Sequence, residues 1–333
     1  MQINPPKHVI ITGGHEVGGL ASFAEGLQIG FSTLGIRADI VTPSSVFTMY
    51  RALRDPNILK ILSTTAVFAA PLARRAICMA HGVPRVDAQG WTRLSALIGS
   101  FKLANACAGA QVVSVSHYTA STLRAIFAIQ SDAVIHNPLK PLYLERLPQD
   151  QAAREYITYA GRLDIAKNVH RMLPAVKDLL DQTPGLRAVI IGDGRERKRL
   201  EAMVSGDSRF EFRRGVDDFW VRDCLRKTRI FVSGNEVEGF GIAYLEAMTQ
   251  GCIVAMPGSG GGIEIHPDQV GRSVRLLPLS WNRDEMVAVF KEALMETWSP
   301  VSTVRYTPEA VARAYLNVDA NFTPDGWNKR VQE

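Results

Sequence analysis

Four cysteines in 333 residues are too few and too scattered for a disulfide framework. Cys78, Cys107, Cys224 and Cys252 also lack the close pairing of a zinc site or a redox motif. They read as buried or inert thiols, which points to a reducing, cytoplasmic compartment. Long apolar runs are missing. Ile61 to Ala73 lasts 13 residues before Arg74 and Arg75 close it, whereas a bilayer-crossing helix needs about 20. The start, Met-Gln-Ile-Asn-Pro-Pro-Lys, lacks a signal-peptide layout. No Asp-x-Asp and no phosphate-loop Gly-Lys-Ser/Thr occurs. The one near match to a dinucleotide fingerprint, Gly192-Asp193-Gly194, has Arg197 where its third glycine belongs. NAD and ATP readings are thereby weakened. What is present is ordinary for a globular chain, 46% apolar and 21% charged, which excludes disorder, collagen and coiled coil. The length suits two domains.

The net charge of +5 lies wholly in residues 1–145, with 12 basic and 7 acidic side chains; residues 146–333 carry 26 of each. A basic first half can attract phosphorylated substrates, anionic lipid or nucleic acid. Nucleic acid is set aside, because aromatic and basic residues do not interleave as single-strand readers require. Residues Val46 to Ala80 mix Phe47, Met49, Tyr50, Leu53, Ile58, Leu59, Ile61, Leu62 and Phe68 with Arg51, Arg54, Lys60, Arg74 and Arg75. Trp91 to Leu103, with Arg93 and Lys102, is similar. Both stretches read either as core helices with charged edges or as a surface resting on an anionic leaflet.

The chain opens with an apolar strand, His8 to Thr12, and a glycine-rich turn, Gly13 to Gly19. Leu20, Phe23, Leu27, Phe31 and Leu34 then recur at helical spacing, and Gly35 ends the helix. A strand over Arg37 to Val41 completes a βαβ unit and implies a parallel sheet. Further strands are predicted at Ile77 to Ala80, Gln111 to Val115 and Ala133 to His136. Pro138, Pro141 and Pro148, followed by Gln149-Asp150-Gln151, read as a linker. The pattern restarts with strands at Tyr156 to Ala160, Arg187 to Ile191, Phe210 to Arg213, Arg229 to Val232 and Cys252 to Met256. Helices are predicted after Gly161 to about Leu180, at Glu196 to Val204, Phe219 to Lys227, Ile242 to Gln250, and Pro308 to Leu316. Pro174 implies a late start or a kink in the first of these. The expected class is α/β, with two doubly wound parallel-sheet domains, 1–148 and 149–333, facing a cleft where ligands bind.

Four glycine-rich turns follow strands: Gly13 to Gly19, Gly161, Gly192 to Gly194, and Gly258 to Gly262. Tight strand–helix turns need glycine anyway. Four of them in two arrays point to a phosphate-bearing ligand, since glycine admits backbone N–H groups close to phosphate. The sharpest segment is Glu236-Val-Glu238-Gly239-Phe240-Gly241-Ile242-Ala-Tyr-Leu-Glu246. It places Glu238 at a helix mouth and Glu246 one and a half turns into that helix. The pair suits two hydroxyl-bearing parts of one extended ligand, with the Gly239 and Gly241 amides between them.

Glu238 and Glu246 match the Glu-x7-Glu motif, and the chain resembles the retaining GT-B glycosyltransferases of family four (glycosyl transferases group 1) over nearly its whole length. Gly161-Arg162-Leu163 with Lys167-Asn168, Gly192-Asp193-Gly194, Gly260-Gly261 with Glu264, Gly18-Gly19, His81-Gly82, Ser114-Val-Ser116 and Ile135-His136-Asn137-Pro138 fit its motifs in order. The resemblance implies two Rossmann-like domains of the GT-B fold. The first would bind the acceptor and the second the nucleotide sugar, with a last helix, about 315–333, crossing back to the first. It implies a metal-independent, retaining, hexosyltransferase-type enzyme moving sugar from a nucleotide-diphosphate sugar to an acceptor hydroxyl. The absence of Asp-x-Asp agrees, and no cofactor or metal is expected. Arg162 and Lys167 would neutralise the departing diphosphate with the Gly18 and Gly19 amides. His81 would sit by the reacting centre, and Glu238, Gly239, Phe240, Gly241 and Ile242 would hold the donor sugar. Glu246 would bind the ribose, and Gly215 and Val216 would border the base. No carboxylate nucleophile is expected. Ser233-Gly234-Asn235 departs from the Pro-Ser usual before the glutamate turn. The acceptor is expected to be a glycan or lipid-linked molecule of polysaccharide, lipopolysaccharide or glycolipid synthesis. The expected location is cytoplasmic, with peripheral binding to the inner face of the plasma membrane. A sugar-phosphate enzyme of phosphorylase or epimerase type and a non-catalytic nucleotide-sugar-binding subunit remain as alternatives.

Overall fold

The computed structural model describes residues 4–13, 18–82, 91–106, 109–145 and 154–320. The chain groups into two compact units, Met1–Pro141 with Val304–Glu333, and Leu142–Thr303.

The first unit runs β1 (His8–Thr12), α1 (Gly19–Thr33), β2 (Arg37–Val41), α2 (Tyr50–Arg54), β3 (Ile58–Ser63), β4 (Ala76–Ala80), α3 (Trp91–Ala106), β5 (Ala110–Ser114), α4 (His117–Phe127) and β6 (Ala133–Val134). Its strands read as near-continuous apolar runs because a parallel sheet is buried on both faces; Val9, Ile10 and Ile11 are fully buried. The order is β2-β1-β3-β4-β5-β6, parallel throughout. The chain therefore leaves β1 first to one side and then to the other, which puts the topological switch between β1 and β3.

The second unit runs β7 (Tyr156–Ala160), α5 (Val169–Gln182), β8 (Arg187–Ile191), α6 (Arg197–Met203), β9 (Phe210–Arg213), α7 (Asp218–Arg226), β10 (Thr228–Val232), α8 (Ile242–Thr249), β11 (Ile253–Pro257), β12 (Val274–Leu277) and α9 (Arg283–Met295). Its order, β12-β11-β10-β7-β8-β9, is again parallel. The switch here lies between β7 and β10, and such folds bind ligands beyond the carboxyl ends of those strands.

Several boundaries differ from the sequence reading, each for a physical reason. β3 was not foreseen, because Lys60 interrupts its apolar run. Lys60 is fully buried and its amine donates to the Asp55 carbonyl at 2.6 Å; burial lowers its pKa to about 8. Leu59, Ile61 and Leu62 are thus core, not surface. What remains exposed from the basic apolar stretch is Phe47, Tyr50, Phe68 and Leu72 with Arg51, Arg54 and Arg74. The units divide at Pro141/Leu142, earlier than the expected 148/149 boundary; Pro148 and Gln149–Gln151 lie outside the described residues. The segment returning to the first unit begins at Val304. Helix α10 (Pro308–Ala320) starts at Pro308 as expected and runs on to Ala320, past the expected end at Leu316. Of the separately expected crossing helix, about 315–333, most lies outside the described residues, which end at 320. α10 packs on α1 closely enough that a Cβ on Gly30 would lie 2.0 Å from the Pro308 carbonyl oxygen. Helix α5 starts at Val169 and runs through Pro174, its sixth residue; that position lies past the first turn, so the proline leaves the His170 carbonyl without its i→i−4 donor.

Candidate functional site

Strand β7 exits through Gly161 and Arg162 into a short 3-10 turn, Ile165–Lys167. Asn168 then takes the left-handed conformation, φ 53°, a role open to Asn because its short side chain bonds locally. Strand β10 exits through Ser233, Gly234 and Asn235 towards Glu238 and α8. The two exits are joined directly. Asn168 Nδ2 donates to the Gly234 carbonyl at 2.9 Å. Lys167 Nζ donates to Glu238 Oε2 at 2.9 Å, and Asn235 Nδ2 donates to the same oxygen at 2.6 Å. The departure at Ser233-Gly234-Asn235 now has a cause. A Cβ at 234 would lie 2.8 Å from the Lys167 carbonyl oxygen, so the crossing demands glycine, and Asn235 supplies a donor.

Glu238 sits where burial alone would raise its pKa. Lys167, Asn235 and the Gly239 N–H together outweigh burial and hold the carboxyl below its ordinary range. The backbone of Glu238 is braced from behind. Gly261 N–H donates to the Glu238 carbonyl at 2.7 Å, and a Cβ on Gly260, at φ 77°, would lie 2.8 Å from that oxygen. Gly241, left-handed at φ 88°, opens α8; Phe240 is buried and Ile242 begins the helix.

Arg162 is exposed and its guanidinium pairs with Asp164 at 2.8 Å. Its carbonyl accepts from the Tyr159 hydroxyl at 2.7 Å. That phenol is raised first by burial, then by the charges of Glu238 and Asp164, with Arg162 opposing. Glu246, inside α8, is half-buried. Its charge reaches Tyr143, whose hydroxyl is raised by burial first and by Glu246 second. Gly215, left-handed at φ 63° and exposed, and half-buried Val216 link β9 to α7. They touch none of the Lys167–Glu238 group by any hydrogen bond among the described residues.

The Gly192–Gly194 turn has a structural explanation that its phosphate reading did not anticipate. A Cβ on Gly192 would stand 1.9 Å from the Gly161 carbonyl oxygen, and one on Gly194 2.5 Å from that of Leu163. Arg197, in place of the third fingerprint glycine, donates to the Gly192 carbonyl at 2.8 Å. Backbone crossing fixes these glycines whether or not phosphate binds.

In the first unit, Gly18 precedes α1 with φ 140°, and none of the described residues comes within 4 Å of a Cβ placed on it; Gly19 starts the helix. Residues 14–17 lie outside the described residues. His81 follows β4 and meets the Phe23 ring edge-on, centroids 4.6 Å apart. Its Nε2 is buried without a partner among the described residues, and burial lowers its pKa to about 4. His81 is therefore neutral at pH 7, suited to hydrogen bonding rather than to acid catalysis. The unfolded chain takes up this proton near pH 6.5 and the folded chain only near 4, so the group costs stability as pH falls through that window. We expect His81→Asn to lessen the loss of stability between pH 6.5 and 4.5 by up to about 2.7 kcal/mol, read by urea unfolding at each pH. An unchanged pH profile contradicts a neutral buried His81. Among the described residues no cluster of three His, Cys, Asp or Glu could hold a metal ion, and no helix is long and apolar enough to cross a membrane.

Comparison with known proteins agrees with this topology. Residues 147–274 match the family model described as Glycosyl transferases group 1. The gpi3 subunit of the phosphatidylinositol N-acetylglucosaminyltransferase of Schizosaccharomyces pombe is 28% identical over 171 residues, 49% of this chain and 37% of that protein. A sulfoquinovosyl transferase of Arabidopsis thaliana is 28% identical over 129 residues, 38% of this chain and 24% of that protein. The match thus spans well under half the length of either relative. Among solved structures, Anabaena HepE in complex with UDP and glucose superposes with a TM-score of 0.66 at 15% identity, covering 98% of both chains. TarM superposes with a TM-score of 0.61 at 13% identity, covering 86% of this chain and 56% of that one. The fold is GT-B.

Proposed function

We propose that this chain, whose residues 147–274 belong to the group 1 glycosyl transferases, moves a sugar from a nucleotide-diphosphate sugar to an acceptor hydroxyl, with retention and without a metal ion. The observation that carries the reading is the Lys167–Glu238–Asn235 group at the switch between β7 and β10. A departing diphosphate gains negative charge, and a fixed cation at that point lowers the barrier. Lys167 gives one of its three N–H donors to Glu238, which leaves two for phosphate oxygens. Arg162, already planar and exposed, adds a bidentate partner. Glu238 accepts from Lys167, Asn235 and Gly239, three of its roughly four acceptor positions, so one remains for a donor-sugar hydroxyl. In this reading the Gly239, Phe240, Gly241 and Ile242 backbone lines the sugar, Glu246 takes the ribose, and Gly215 and Val216 border the base. His81, neutral, hydrogen-bonds the sugar, and the Gly18 and Gly19 amides face the diphosphate.

The first unit then binds the acceptor. A lipid-linked acceptor is favoured by the resemblance to a phosphatidylinositol-modifying transferase and by the exposed Phe47, Tyr50, Phe68 and Leu72 beside Arg51, Arg54 and Arg74, a combination that suits the cytoplasmic face of an anionic membrane. Calorimetric titration with UDP, GDP, TDP and ADP is the first test, followed by transfer assays with the matching sugar nucleotide in EDTA. One diphosphate binds, transfer persists in EDTA, and the product keeps the donor's anomeric configuration. No binding of any of the four ends the transfer reading. Turnover restored only by Mg²⁺ ends the metal-free part, and an inverted product ends retention. Failure to pellet with anionic vesicles at low salt removes the membrane.

A further inference from the structure

Trp281 lies beyond the family-matched segment, in the turn between β12 and α9. It holds φ 56°, a left-handed conformation that a bulky side chain takes only where its surroundings force it. Three contacts account for the constraint. The indole Nε1–H donates to Glu236 Oε1 at 2.7 Å. The ring carries the Arg171 guanidinium, 5.5 Å from its centroid. Its Cη2 stands 3.0 Å from where a Cβ on Gly234 would be, while the Lys167 carbonyl oxygen stands 2.8 Å from the same point. The Lys167 carbonyl and the indole thus converge on the same side of Gly234, where any side chain would collide with both. Glu236, two residues on and two before Glu238, is tied to the same ring.

We propose that Trp281 is a positioning residue: its indole locks the exit of β7 to the exit of β10 and so fixes the Lys167 amine against the Glu238 carboxylate. The lock itself is a statement about this unit alone; its effect on turnover rests on the transfer reading. The chemistry favours this role over simple core filling. A phenylalanine would fill much of the same space, but only an N–H can hold Glu236, and a group that is nearly right by 1 Å loses most of the benefit of alignment.

The test compares Trp281→Phe, Glu236→Ala, their double variant and Glu236→Gln, which keeps the acceptor oxygen. Acylation of the Lys167 amine is followed by mass spectrometry, with Lys177 of the same unit, exposed and paired to Asp181, as internal standard. Trp281→Phe and Glu236→Ala each speed Lys167 labelling several-fold at constant Lys177 labelling; the double variant matches the larger single effect, since both remove one interaction. Glu236→Gln stays close to the parent. In transfer assays kcat falls by about tenfold while donor KM changes little, the signature of lost alignment. Unchanged Lys167 labelling in both single variants, or effects that multiply in the double, overturns the proposal. Should Trp281→Phe raise Lys177 labelling too, and so be unfolding, the contrast between Glu236→Ala and Glu236→Gln decides: equal Lys167 labelling in the two overturns it. A parent protein without transfer activity refutes the transfer reading, and the labelling still judges the lock.

Discussion

Lys167→Ala lowers kcat/KM for sugar transfer by about 10²-fold or more, the scale, about 2.7 kcal/mol, on which a lost charge at a developing anion registers. The structure adds a second consequence. Lys167 is the first of the groups that hold the Glu238 carboxyl down against the larger, opposite effect of burial. Without it, only Asn235 and the Gly239 N–H oppose burial, and the carboxyl rises from its parent value. In the parent, a depressed Glu238 contributes stability that is present above the ordinary carboxylate pKa and fades as pH falls through the folded value. In Lys167→Ala this pH-dependent stabilisation shrinks, because the carboxyl moves up towards or past its unfolded value. Adding Glu238→Gln removes the stranded charge, so Lys167→Ala/Glu238→Gln regains stability but not rate. Kinetics with the cognate sugar nucleotide, and urea unfolding across pH, read both. Near-normal transfer by Lys167→Ala shows that the cation waits elsewhere.

Asp319→Ala destabilises the first unit by about 3–5 kcal/mol, the range for leaving one buried charge without its partner. Arg75 and Asp319 are both buried. Arg75 Nε donates to Asp319 Oδ1 at 2.7 Å and its Nη2 donates to Oδ2. Nη1 reaches the Pro56 carbonyl at 3.1 Å and Nη2 the Asn4 carbonyl at 2.9 Å. One guanidinium therefore ties α10 to the amino end of the sheet. Around it Tyr315 is fully buried, and Gln111 Nε2 donates to the Val318 carbonyl at 3.0 Å. Set against a total of about 5–15 kcal/mol for a domain, the loss is a large fraction of the first unit's stability. Urea unfolding checks it. Arg75→Met/Asp319→Leu removes both charges and loses less than the single variant, because nothing charged is left buried. A cost below about 1 kcal/mol for Asp319→Ala means solvent reaches the pair.

Local pattern carried much of this protein. β1, β2, β7, β8 and β9 begin and end where the apolar runs and glycine turns place them, and α1 follows its 3–4 spacing. β3 escaped because a buried lysine breaks an otherwise apolar strand, and nothing in a linear string shows that Asp55 O waits for the amine. Glu238 and Lys167 were legible because each stands at a fixed offset from a strand end and a glycine. Their contact, 71 residues apart in the chain, was not. The glycines at 192 and 194 were read both as ordinary tight turns and as phosphate turns; which backbone denies them a side chain, that at 161 and 163, was not legible.

The amino-acid order alone determined the parallel two-array architecture, the positions of the strand exits and the residue types offered there, because these follow from short-range periodicity and glycine conformation. The tertiary structure decided what those residues do to one another. Glu238 is ionised because Lys167 and Asn235 converge on one of its oxygens, Gly234 is required because two loops cross there, and Trp281 is bent into a left-handed turn to meet Glu236. Such facts depend on distances of about 3 Å between groups far apart in the chain, and spacing along a sequence does not encode them.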